Sequence, residues 1–101
     1  MKVVLDVENT TTNRDGKIHF DPFEPENSLT MIGVLTDDGV ERHFPFDHAD
    51  VPNQDDYHER VQWFLDNATV LIMHNAAHDL LWLWESGFTY DGPVFDTMLA
   101  V

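Results

Sequence analysis

Residues 70 to 79, Val70-Leu71-Ile72-Met73-His74-Asn75-Ala76-Ala77-His78-Asp79, constrain the fold more tightly than any other stretch. Four consecutive apolar residues predict a buried strand, and His74-Asn75 predicts a turn into a helix that carries Asp79 on its first turn. A carboxylate is thereby delivered to the rim of a sheet. Val3-Val4-Leu5-Asp6-Val7-Glu8 does something similar, an apolar strand that gains two acids as it ends. Its alternation places Val3, Leu5 and Val7 on one face and Val4, Asp6 and Glu8 on the other. With the two strands side by side, three carboxylates converge as in a divalent-metal site. Two carboxylates about 4 Å apart repel by roughly 4 kcal/mol at an effective dielectric near 20, a penalty that a cation turns into attraction. The plainer reading is an acidic strand end fanned into water.

Between these two strands the chain changes character several times. Residues 9 to 28 are dense in Asn, Thr, Asp, Gly and Pro and predict one long irregular connection with a brief extended piece at 17 to 20. Ser28 to Thr36 and Val40 to Phe46, separated by Asp37-Asp38-Gly39, predict a β-hairpin, so the first fifty residues supply a three-stranded meander. His43 and His48 are expected at the surface of its last strand or just beyond. From Asn53 to Asn67 the period changes, with Tyr57, Val61, Phe64 and Leu65 at helical spacing and Asp55, Asp56 and Glu59 crowding the start. This predicts an amphipathic helix capped near Asn53.

The strand Thr69 to Met73 then leads to a helix from Ala76 to Ser86, stopped by Gly87. Ala76, Leu80, Leu83 and Trp84 are expected to face the sheet, with Asp79 at the edge of the stripe and Leu81 and Trp82 packing on something else. Val94-Phe95 predicts a last short strand, and Asp96 caps a helix beginning at Thr97-Met98-Leu99. The sequence stops inside that helix without a stop signal, which predicts a fragment. The expected class is α/β, a ribonuclease-H-like mixed sheet in the order βββαβαβ(α), truncated after the start of the last helix.

Composition bounds the function classes. A chain of 101 residues is one domain at most, and 43% hydrophobic residues argue against wholesale disorder. No apolar run is long enough to span a membrane, no secretory signal is visible, and zero cysteines exclude thiolate zinc sites and thiol nucleophiles. A cytoplasmic location is expected. The net charge of -14 opposes binding to nucleic acid unless bound Mg²⁺ or a larger parent protein offsets it.

Asp6-x-Glu8 followed by Asn75-x-x-x-Asp79 resembles the first two motifs of the DEDD, or DnaQ-like, 3′-to-5′ exonucleases. The run Asp79-Leu80-Leu81-Trp82-Leu83-Trp84 with Gly87, and then Phe95-Asp96-Thr97-Met98-Leu99, is similar to the proofreading domain of family A DNA polymerases, and a start at Met1 immediately before the first strand looks most like those of short-tailed bacteriophages. The resemblance implies that residues 1–101 are part of an exonuclease domain that hydrolyses phosphodiester bonds at DNA 3′ ends with two Mg²⁺ or Mn²⁺ ions. It makes Asp6, Glu8 and Asp79 the catalytic and metal-binding residues, and assigns Asn75 and Val7 to the substrate strand. Its partners would be a single-stranded DNA 3′ end and the remainder of a polymerase chain, in host cytoplasm if phage-encoded. The family's third motif, a Tyr or His four residues before an Asp, has no match within 101 residues, so the fragment is expected to be nearly inactive.

Three alternatives compete with this reading. A zinc site on His74 and His78 fails because no Glu follows the first histidine and the two rings leave different elements. A ribonuclease-H-like scaffold with dead acids would bind nucleic acid or protein without chemistry. The third keeps the chemistry and changes the substrate to RNA.

Overall fold

A computed structural model describes residues 1–47 and 56–99. Its elements are β1 (Lys2–Asn9), β2 (Thr12–Arg14), β3 (Lys17–His19), β4 (Leu29–Thr36), β5 (Glu41–Pro45), α1 (Tyr57–Asn67), β6 (Val70–Met73), α2 (Ala76–Glu85) and β7 (Val94–Asp96). Five strands form one mixed sheet in the order β5-β4-β1-β6-β7, with β4 antiparallel and β6 parallel to β1. This mixed α/β arrangement is compatible with a ribonuclease-H-like fold. No helix among the described residues is long and apolar enough to cross a membrane.

One face of the sheet is covered and the other is open. Val3, Leu5 and Val7 of β1, Ile32 and Val34 of β4, Phe44 of β5, and Leu71 and Met73 of β6 are buried together with Val61, Phe64 and Leu65 of α1 and Trp82 and Leu83 of α2. On the other face Val4, Asp6 and Glu8 are exposed. The central strand therefore alternates as its sequence predicts. β6 does not stay buried on both sides: Leu71 and Met73 are buried, whereas Val70 and Ile72 are only half-buried. Its four apolar residues in a row conceal an alternation, because no layer covers the second face among the described residues.

The meander β1, β4, β5 forms as expected, and Gly39 supplies the positive φ of 80° in its second turn. The connection from 9 to 28 is more ordered than its composition predicts. Residues 12 to 19 make a second hairpin, β2 with β3, whose two turn residues Asp15 and Gly16 both have positive φ, 53° and 76°. That is the mirror-image turn that matches strand twist, and Asp-Gly is a favoured pair for it. The observed element order thus holds two short strands more than βββαβαβ(α).

Helix α1 begins at Tyr57 with Asp56 at the N-cap, and the expected cap at Asn53, the acid Asp55 and His48 lie outside the described residues. Helix α2 runs from Ala76 and closes as predicted at Gly87, whose φ of 87° lets the Phe88 N–H reach the Leu83 carbonyl at 2.9 Å and its own N–H reach Trp84 at 3.1 Å. The assignment of its tryptophans is reversed. Trp82 is 3% exposed and Trp84 54% exposed. Trp82 turns inward because its indole Nε1–H donates to the Phe20 carbonyl at 3.0 Å, so the connection after β1 is what covers the helix's second side.

The last expected helix is a turn over residues 97–99 in the described part, and its cap works elsewhere. The Asp96 carboxylate accepts from the backbone N–H groups of Asn75 at 3.0 Å and Ala76 at 2.9 Å, the start of α2, as well as from Met98 at 2.9 Å. Those three amides, Ala76 foremost, hold its carboxyl below the usual carboxylate range. Asp96 is a structural cap, but chiefly of the helix that bears Asp79.

Candidate functional site

The site lies where a short parallel strand ends beside a long central one. β6 pairs with β1 only from Lys2↔Val70 to Val4↔Ile72, while β1 continues to Asn9. The chain leaving β6 passes through His74 and Asn75 into α2, filling the place beside the second half of β1. This place, beyond the carboxyl end of β6 and beside its parallel neighbour β1, is at the strand ends where open α/β sheets bind ligands. Asn75 at the junction is held in a left-handed conformation, φ 69° and ψ 63°, tolerated by Asn and concentrated at functional sites. Its side chain is exposed.

Asp79, one turn into α2, is 3% exposed, and its Oδ2 is buried with no hydrogen-bond partner. Burial and then the negative charge of Asp6 push its carboxyl up to about 7, with a lesser contribution from Asp96 and against an opposing hydrogen bond from the Val7 backbone N–H. Asp6 and Asp79, from the two ends of the chain, therefore feel each other's charge. Glu8 lies on the open face with Asp6, two residues further along β1. Among the described residues, however, no three His, Asp or Glu side chains form a group that could hold a metal ion. Val7 sends its side chain into the core, leaving only its main chain toward the crevice.

The donor chemistry present fits a hard cation of modest demands. Mg²⁺ keeps several waters and is commonly bound by one or two carboxylates together with substrate phosphates rather than by an all-protein cage. The orphaned Oδ2 of Asp79, inside a site where Asp6 raises the cost of ionisation, is a ligand position that a cation would satisfy. The histidines take no part in such a site as a pair: His74 Nδ1 bonds the Thr97 hydroxyl at 2.9 Å and His78 Nε2 bonds Asn9 Oδ1 at 2.9 Å.

A groove of about 180 Å³ on the open face is lined by Asp6, Glu8, Met31, Gly33, Glu41 and His43 among others. Gly33 pairs with both Asp6 and His43, so its missing side chain leaves the acid and the imidazole facing across an empty row. His43 is exposed as predicted, but its place beside Asp6 was invisible without the strand register. A larger groove, about 440 Å³ between the ends of the two helices and residues 89–92, contains none of these acids.

No protein-family profile matches the chain, and no curated protein does. Among solved structures, the chain is similar to a family B DNA polymerase from the hyperthermophilic archaeon Pyrobaculum calidifontis, with 22% identity and a TM-score of 0.55. The match covers 82% of this chain and 10% of that one, so the chain spans a small part of the polymerase's length. At this identity the likeness is one of fold. The neighbour belongs to family B, and the likeness does not extend to the family A or phage assignment drawn from the motifs.

Proposed function

We propose that this chain is part of the 3′-to-5′ exonuclease domain of a DNA polymerase, hydrolysing phosphodiester bonds at DNA 3′ ends. The observation that carries the reading is the almost wholly buried carboxylate of Asp79 at the strand end, whose Oδ2 has no hydrogen-bond partner and which feels the charge of Asp6. A buried carboxylate oxygen without a partner costs stability, and such groups concentrate where chemistry needs them. The fold shared with a segment of a DNA polymerase and the two acidic motifs support the same reading.

In this function Asp6 and Asp79 would hold divalent ions, with Glu8 on the same side of β1 completing the ligand set once substrate oxygens are present. Bound Mg²⁺ or Mn²⁺ supplies activation of water and stabilisation of the leaving 3′ oxygen. The residues of the chain orient and neutralise. Asn75, exposed at the α2 N-terminus, is placed to hydrogen-bond the strand next to the scissile phosphate, and the Val7 main chain flanks the same crevice. A positive counter-charge at the acids also makes a chain of net charge -14 tolerable to DNA at this one place. The general base and a fourth carboxylate would come from the remainder of the polymerase chain.

A second reading, a non-catalytic nucleic-acid-binding or scaffold module of the same fold, is favoured by the lack of a three-residue metal cluster among the described residues. Titration with Mn²⁺ separates the two. The exonuclease reading expects thermal stabilisation, about 2.7 kcal/mol at a concentration one hundred times the dissociation constant, abolished by Asp6→Ala. Absence of any stabilisation favours the scaffold. RNA and DNA strands of the same sequence, compared side by side with the completed polymerase chain, decide the substrate.

A further inference from the structure

Each acid motif has an immediate neighbour in sequence that the metal chemistry does not use. Asn9 follows Glu8, and His78 precedes Asp79. These two neighbours, 69 residues apart, are bonded to each other, His78 Nε2 to Asn9 Oδ1 at 2.9 Å. The direction of the bond follows from the rest of the network. Asn9 Nδ2 donates to the carbonyls of Thr10 at 2.8 Å and Phe20 at 3.1 Å, which uses both of its hydrogens. Oδ1 must then accept, and His78 carries its proton on Nε2.

The backbone is built to present Asn9 to α2. Glu8 pairs with Met31 but Asn9 pairs with Leu29, so β4 contributes one extra residue here and the ladder breaks between Glu8 and Asn9. The Thr30 hydroxyl, freed by that irregularity, donates to the Glu8 carbonyl at 2.9 Å and fixes the strand at the acid itself. On the helix side, the His78 ring packs at 5.7 Å from the Phe20 ring, while the carbonyl of Phe20 receives both Asn9 and Trp82. Asn9, Phe20, His78 and Trp82 thus form one strap from the end of β1 to the first turns of α2.

We propose that Asn9 and His78 are a positioning pair that sets the separation between the β1 acids and Asp79, and hence the affinity of the site for a divalent cation. This inference rests on the reading of that site as a metal site. At the acids themselves Asp6 repels Asp79 while the Val7 backbone N–H favours its carboxylate, and the strap adds a second tie between β1 and α2 from side chains that are not acids. The strap acts on the backbone carrying each carboxylate, one residue away in both directions. Neither residue touches the ion, so both act by geometry.

The test uses the 101-residue chain and Mn²⁺ alone, with free Mn²⁺ followed by electron paramagnetic resonance. His78→Phe keeps a ring against Phe20 and removes the donor, Asn9→Ala removes the acceptor, and His78→Gln keeps an N–H donor. Phe and Ala variants are expected to weaken Mn²⁺ binding about tenfold, the scale for groups that orient metal ligands. The Gln variant should recover most of the loss. Combining His78→Phe with Asn9→Ala should cost no more than either alone, because they break one bond. Circular dichroism without metal checks the fold, and Asn9→Ala stands as the independent variant if His78→Phe unfolds. Wild-type affinity in both His78→Phe and Asn9→Ala, or a Gln variant no better than Phe, overturns the positioning role. A wild-type chain that takes up no Mn²⁺ overturns the metal reading and this inference with it.

Discussion

Asp79→Asn tests the central observation, because it removes the charge and keeps the shape. The carboxyl moves from 3.8 in the unfolded chain to about 7 in the fold, chiefly through burial and then through Asp6. Below pH 3.8 the group is protonated in both states and costs nothing. Between 3.8 and about 7 the unfolded chain releases the proton that the folded chain retains, so stability falls as pH rises, by about 1.4 kcal/mol per unit. Above about 7 the full penalty is present, about 4 kcal/mol. An amide has no such titration, but its N–H₂ is buried without an acceptor at a cost of about 1–2 kcal/mol. The variant should therefore match the wild type near about pH 5 and exceed it by about 2–3 kcal/mol near about pH 8. For a domain of this length that is a rise in Tm of about 10 °C or more. Urea denaturation in EDTA at the two pH values reads the difference directly. Mn²⁺ should then narrow the gap at the higher pH, since an ion stabilises only the carboxylate. A variant that is no more stable than wild type at high pH, or a gap independent of pH, refutes the claim that Asp79 is an uncompensated buried acid.

Other expectations follow from the fold. Asp96→Ala removes the carboxylate that accepts from the amides of Asn75 and Ala76, so Tm should fall at neutral pH; the loss should vanish in acid, once pH has dropped through the lowered pKa of Asp96 and the wild-type carboxylate is protonated. Gly87→Ala puts a side chain at φ 87° and within 3.4 Å of His58 Nε2, which should cost about 1–2 kcal/mol in chemical denaturation. Trp82→Phe deletes the Nε1–H bond to Phe20, and limited proteolysis should then cut first within residues 10–28, with a stability loss of about 1 kcal/mol. Phe44→Ala empties a fully buried position between α1 and the sheet and should cost about 3–5 kcal/mol, enough to unfold much of a marginally stable chain.

What the sequence disclosed and what it hid divide along a physical line. Period-two alternation in β1, the helical stripe Val61-Phe64-Leu65 and the Gly87 stop are local properties, written in consecutive residues, and each was legible. The approach of Asp6 to Asp79 was legible only because two strand ends each carried acids, so that adjacency of the strands sufficed. The tryptophans show where such reasoning ends. Trp82 and Trp84 are both compatible with an inward face on a helix whose apolar residues occupy most positions, and the choice is made by a carbonyl at Phe20, some sixty residues away in the chain. Asp96 follows the same logic. As an isolated residue before Thr97 it reads as a cap for what comes next, whereas parallel pairing of β7 with β6 brings it level with Met73 and so up against the amides that open α2. Asn9 and His78 were hidden for that reason too: each looks like turn or helix filler until β1 and α2 are side by side. The acids were candidates from sequence because chemistry restricts their type. The groups that hold them in place could not, because a hydrogen bond between two ordinary side chains leaves no signature until the strands that bear them have been paired.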